Sequence, residues 1–135
     1  MTDILQAESL SKNFTTSRGE IAAVKDISLG VSAGEFLCIV GPSGCGKTTI
    51  LQLLAGLLPP SRGQVKLNGV PLRAPPPEIG VVFQKPNLMP WRTVLDNVRL
   101  PLQIQTVPAG EATRRSRDIL NTVGLDNFAQ SYPKE

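Results

Sequence analysis

The chain has 135 residues, 41% of them hydrophobic and 19% charged, the balance of one globular domain with a core of its own. A net charge of +3 is too small to argue for a nucleic-acid partner or an anionic membrane surface. The acidic start MTDILQAESL lacks the basic-then-apolar order of a secretory leader, no apolar run approaches the ~18 residues of a membrane span, and two cysteines make no disulfide framework, so a reduced cytosolic protein is the expectation.

In chain order, the first periodic segment is Ile27 to Ser32, which alternates apolar with small or polar residues, the pattern of a half-buried strand. Ala33-Gly34 turns the chain. Phe36 to Val40 is a continuous apolar run that predicts a strand covered on both faces, as in a parallel sheet, with Cys38 in the core. After a glycine-rich loop, Ile50, Leu51, Leu53, Leu54, Leu57 and Leu58 fall at helical spacing, with Pro59-Pro60 as the stop. Gln64 to Leu67 predicts a short strand followed by an Asn68-Gly69 hairpin turn. Pro75-Pro76-Pro77 is a stiff loop, and the alternation of Ile79, Val81 and Phe83 predicts a strand ending at Gln84. From Thr93 the pattern turns helical. Val94, Leu95, Val98 and Leu102 suggest one helix, which Pro101 should kink or end, and Glu111 to Val123 a second, closed by Gly124. Arg114, Arg115 and Arg117 read as a solvated helix face rather than a nucleic-acid patch.

The loop Gly41-Pro42-Ser43-Gly44-Cys45-Gly46-Lys47-Thr48 fits GxxxxGK[ST], between a predicted strand and an amphipathic helix. Phosphate chemistry asks for these residue types. Glycines let successive backbone N–H groups converge on an anion, and a helix N-terminus adds partial positive charge. A lysine can neutralise the β- and γ-phosphates, and a threonine hydroxyl can ligate Mg²⁺. A glycine-rich turn that merely contains Lys-Thr is the bland alternative. The full motif in its strand-to-helix context favours a nucleotide site. Neither the NKxD nor the DxxG segment of guanine-nucleotide switches occurs, and no lid or acceptor site of a small-molecule kinase can be assigned.

Beyond the loop, SLSKNF, GEIAAVKDISLGVSAGEFLCIVGPSGCGKTTIL, GQVKLNG and IGVVFQKPNLMPWRTVLDNV follow one another in an order that resembles the ATP-binding subunits of ABC transporters. GVVFQ followed by LMPW and TVLDNV is the most specific part. The Pro-Trp variant is similar to importers of nitrate, sulfonate, taurine or related small solutes. The resemblance implies an α/β P-loop NTPase core of the ABC ATPase type with an antiparallel β subdomain and the start of an α-helical subdomain, incomplete in this chain. Residues 1–88 would be the nucleotide-binding core and residues 89–135 the partial helical subdomain. It implies ATP and Mg²⁺ as cofactors. Gly41, Pro42, Ser43, Gly44, Cys45, Gly46, Lys47, Thr48 and Thr49 would hold the phosphates, with Lys47 also catalytic and Thr48 on the metal. Gln84 matches the glutamine near Mg²⁺ and the attacking water. Phe14 matches the aromatic that stacks on adenine, although the family more often has tyrosine and a buried strand phenylalanine is the competing reading. Trp91 is either core packing or a permease contact.

In the family, a segment like SYPKE is followed by the LSGGQ-type signature, whereas this sequence stops at Glu135. It holds no Ser-Gly-Gly run, no aspartate after an apolar strand, and no histidine. The expectation is therefore the N-terminal part of an energy-coupling ATPase, inactive alone and with an apolar strand edge exposed. Implied partners are a second ATP-binding subunit, transmembrane permease subunits and, indirectly, a solute-binding protein, with no nucleic acid. The implied location is the cytoplasmic face of the cell membrane. A non-hydrolysing nucleotide-binding fragment and a P-loop kinase or NTPase of another family are the alternatives.

Overall fold

The computed structural model describes residues 3–17 and 19–135, in two compact units that meet in sequence between Val82 and Phe83. The first unit is built on an antiparallel sheet in the order β2-β1-β3-β4, with β1 at Asp3–Thr16, β2 at Gly19–Ser32, β3 at Arg62–Leu67 and β4 at Val70–Pro71. The predicted strands at Ile27 to Ser32 and Gln64 to Leu67 are parts of β2 and β3. Asn68 and Gly69 both take positive φ, 50° and 78°, in the tight turn between β3 and β4.

Strand β1 has no clean two-residue alternation, and the structure shows why. Its buried residues Ala7 and Leu10 are three apart, and the register against β2 shifts between them. Ser9, at φ 45°, opens the bulge, and its N–H donates to Ser28 Oγ at 2.9 Å. The opposite strand repeats the device at Asp26, φ 44°, whose N–H donates to Ser11 Oγ at 3.0 Å. Serine hydroxyls thus replace the ladder partners that the bulges remove. A surface ion pair ties β1 to β3: Lys66 Nζ lies 2.6 Å from Glu8 Oε1. The hydrogen bonds from Lys66 and Gln64 hold the Glu8 carboxyl below its ordinary pKa.

The first helix, α1, is Lys47–Leu54. Its buried face, Ile50, Leu53 and Leu54, packs on Ala7, Leu10, Val24 and Val65 of the sheet to form the core of this unit. The helix stops before Pro59-Pro60: Ala55 caps it, and the N–H of Gly56 donates to Leu53 O while that of Leu57 returns to Gln52 O. Two predicted strands are not formed. Phe36 to Val40 and Ile79 to Phe83 enter no ladder among the described residues, and no strand pair here is parallel. Phe36, Val40 and Val82 are 91%, 86% and 100% exposed, and Cys38 is exposed rather than in the core. An apolar run supplies side chains for a buried strand, but a strand exists only with a neighbour to take its backbone hydrogen bonds.

The second unit pairs α2, Val94–Ile104, with α3, Ala109–Thr122, and ends in a 3-10 turn at Asp126–Phe128. Leu95, Leu120 and Ala129 form its core, with Val94 and Val98 packed against them. Helix α2 runs through Pro101 to Ile104 rather than ending there, so the one backbone donor that proline lacks is given up inside the helix. Thr93 caps α2 by accepting from the N–H of Asp96 at 3.2 Å. Arg99 joins the two helices, donating to Asp96 at 2.7 Å and to Thr113 at 3.2 Å. Arg114, Arg115 and Arg117 lie on the solvated side near Asp118, Glu111 and Asp126.

Asn97 gives the TVLDN segment a structural meaning. Its amide donates to the carbonyls of Met89, Arg92 and Thr93 at 3.0–3.1 Å and its Oδ1 accepts from Met89 N–H at 2.8 Å, so one side chain clasps the loop before α2. Asn97→Ala should destabilise this unit by about 1–3 kcal/mol, because several half-buried backbone groups lose their partner at once. Asn97→Asp, which sets a carboxylate oxygen against those three carbonyls, should cost at least as much. Urea unfolding followed by the fluorescence of Trp91 reads both, and an unchanged midpoint for Asn97→Ala would remove the clasp from the account.

Candidate functional site

The glycine loop leads into α1 without a side-chain cap. Gly44 and Gly46 take φ of 80° and 96°, and the N–H of Cys45 donates to Pro42 O at 3.4 Å, folding the loop back on itself. Gly46 is the N-cap of α1, its carbonyl accepting from Ile50 N–H at 2.9 Å. A Cβ built on Gly46 would lie 2.5 Å from Ala23 O on β2. The loop is therefore seated against the sheet where only glycine fits.

Lys47 is the first residue of α1, and its ammonium turns back across the loop. Nζ donates to Gly41 O at 2.7 Å and Pro42 O at 2.6 Å, and lies 3.6 Å from Cys45 Sγ. Helix geometry leaves the first-turn N–H groups of Lys47, Thr48 and Thr49 without intrahelical acceptors, and no acidic residue in that turn opposes the positive end. Thr48 is exposed at the same end, and Thr49 is half-buried. An ammonium beside a glycine loop at the positive end of a helix is the chemistry of an anion site.

Gly41 through Gly46 form the loop, and Lys47, Thr48 and Thr49 are the first turn of α1. Phe14 lies on β1, 39% exposed rather than buried, and the ammonium of Lys12 sits 5.4 Å from its ring centroid. Lys12 is anchored by a 2.7 Å hydrogen bond to Pro59 O. Sequence reading missed Lys12, although a lysine two residues before an aromatic shares its face of a strand. Gln84 is an exposed residue of the second unit, outside any strand. Trp91, in the loop before α2, is 72% exposed and is not core. Among the described residues there is no cluster of three or more His, Cys, Asp or Glu that could hold a metal, and no helix is long and apolar enough to cross a membrane.

A glycine loop that opens a helix packed on a sheet is the architecture of the P-loop class of nucleotide-binding proteins. Comparison with known proteins narrows the class. The ABC transporter family pattern matches residues 24–135. The taurine import ATP-binding protein TauB of Pseudomonas aeruginosa is 45% identical over 131 residues, 97% of this chain and 50% of TauB. The nitrate import ATP-binding protein NrtD of Synechocystis is 39% identical over 131 residues, 97% of this chain and 49% of NrtD. A dimeric structure of a bacterial ABC transporter cassette superposes with a TM-score of 0.84 at 30% identity, covering 96% of this chain and 62% of the cassette. The chain belongs to the ABC transporter family. It spans about half the length of the curated relatives it matches.

Proposed function

We propose that these residues form the nucleotide-holding portion of an ATP-binding, energy-coupling subunit of an importer for a small solute such as nitrate, sulfonate or taurine. The observation that carries the reading is the segment from Gly41 to Thr49, a lysine ammonium over a glycine loop at a helix N-terminus, in a chain that belongs to the ABC transporter family. A related cassette with a TM-score of 0.82 was solved bound to ADP and Pi, which supports a nucleotide as the anion.

In this reading the loop amides and Lys47 hold the β- and γ-phosphates. Lys47 exchanges its two carbonyl acceptors for phosphate oxygens, a charge-assisted replacement. Thr48 would be a protein ligand for Mg²⁺, its hydroxyl joining the phosphate oxygens around the ion. Gln84 orients the attacking water near the metal. Phe14 stacks on adenine with the ring face that Lys12 leaves open. Residues 1–88 are the nucleotide-binding core and residues 89–135 part of the helical subdomain. The working assembly is a pair of ATP-binding subunits beneath transmembrane permease subunits on the cytoplasmic face, with a solute-binding protein acting indirectly.

The segment before α2 supports a permease contact. Leu88 and Trp91 are exposed apolar side chains on the loop that Asn97 clasps. A short permease helix seated there would bury them in a helix-in-groove contact. In a transporter assembled from a complete subunit carrying these residues, cysteines at Leu88 or Met89 are expected to crosslink to the permease. An active transporter with no crosslink at any position from Lys85 to Trp91 would contradict the docking surface.

A further inference from the structure

The ring of Phe14 is backed by a cation that is itself fastened. The Lys12 ammonium lies 5.4 Å from the ring centroid and donates to Pro59 O at 2.7 Å. Pro59 follows the turns that close α1, so a β1 side chain is tied to the far end of the helix that the glycine loop opens. Two further hydrogen bonds join the same segments: Ser61 N–H donates to Ser11 O at 2.8 Å, and Asn13 N–H to Ser61 Oγ at 3.0 Å. This brace keeps the charge at one face of a ring whose other side is open to solvent.

The β1–β2 ladder also connects Phe14 to the glycine loop. Lys12 pairs with Val24 and Asn13 with Ala22, so the register skips Ala23. Ala23 is the residue whose carbonyl seats Gly46. Phe14 pairs with Ile21, which puts its backbone about 8 Å from that seat at ordinary strand spacings. An aromatic at that separation suits the base of a nucleotide whose phosphates lie on the loop.

We propose, resting on the nucleotide reading of Gly41 to Thr49, that Lys12 is a positioning residue for the base and acts through Phe14. The faces of an aromatic ring carry negative charge density, and so does the face of a purine, so a direct stack begins with a repulsion. A cation on the far face draws that density towards itself. The open face of Phe14 then meets the base with less repulsion. Phenylalanine has no hydroxyl to fix its ring by a hydrogen bond, and the anchored ammonium takes over that task.

The test compares the binding of ATP and of inorganic tripolyphosphate, which has the phosphate charge and no base, to a complete subunit carrying these residues. Lys12→Met keeps an unbranched side chain and removes the charge. It should weaken ATP about two- to fivefold, the size of an exposed cation–π contact, and leave tripolyphosphate unchanged. Lys12→Arg should bind ATP as the parent does. In a Phe14→Ala background, Lys12→Met should have no further effect on ATP, because its route to the base is gone. Equal weakening of both ligands by Lys12→Met, unchanged ATP binding, failure of Lys12→Arg to restore it, or the same loss without Phe14 would each overturn the role of Lys12 while the nucleotide site stands. A parent that binds tripolyphosphate as tightly as ATP would take Phe14 out of the site, and a parent that binds neither would overturn the nucleotide reading together with the proposal.

Discussion

Lys47→Ala, introduced into a complete subunit carrying these residues, is expected to lower kcat/KM for ATP hydrolysis by at least about 100-fold. Within Gly41 to Thr49 it is the only charged residue. Its ammonium is held over the loop by carbonyls at 2.6 and 2.7 Å, acceptors that phosphate oxygens would replace. Alanine removes the charge and leaves the loop to its glycines, whose backbone angles do not depend on the lysine. The folded structure should therefore persist, with an unchanged circular dichroism spectrum and melting point, while phosphate release falls to background. Weaker ATP binding should accompany the loss, because a charge-assisted contact is made in the ground state as well. Wild-type turnover by the purified variant would sink the assignment of this loop.

Gly46→Ala is expected to destabilise the first unit by about 2–4 kcal/mol, and the comparison with Gly44→Ala makes the effect diagnostic. Both glycines sit in the left-handed region, at φ 96° and 80°. Conformational strain is common to the two, and it alone should cost Gly44→Ala about 1 kcal/mol. Gly46 carries a second penalty. Its added methyl would stand 2.5 Å from Ala23 O, a backbone atom inside a paired strand that cannot swing away, while nothing lies within 4 Å of a methyl on Gly44. Relief of the clash must shift the N-terminus of α1 from β2, and with it the phosphate loop. Urea unfolding of the two variants separates the terms. Equal losses would show that the seat against Ala23 contributes nothing.

The glycine loop and the helix it opens were legible in sequence because everything that makes them is local. The glycines, Lys47 and the helix start fall within nine residues, and the helical period after them needs no partner to be read. The same holds for α2 and α3, whose apolar spacing and terminal signals, Thr93 at one end and Gly124 at the other, are written within a few turns. Strand β1 was not legible. Its bulge at Ser9 breaks the two-residue period, and the hydroxyl that repairs the bulge comes from Ser28 on the next strand. The proline stop after α1 was misplaced because the turn at Gly56 returns the chain first, through hydrogen bonds to Gln52 and Leu53.

Sequence by itself determined the residue chemistry of this protein: a glycine loop with one cation, a hairpin turn at Asn68-Gly69, three helices, and an order of motifs that names the family. Tertiary structure alone decided which apolar runs are strands. Phe36 to Val40 and Ile79 to Phe83 have the composition of buried strands and are open, while the irregular β1 is paired along both edges. It also decided that Gly46 must lack a side chain because of Ala23, that Lys12 stands over Phe14, and that Asn97 closes the loop before α2. The reason is the same in each case. A helix satisfies its own backbone and can be read from its own residues, whereas a strand, a close backbone approach and a side-chain clasp are satisfied by atoms that the chain brings back from elsewhere.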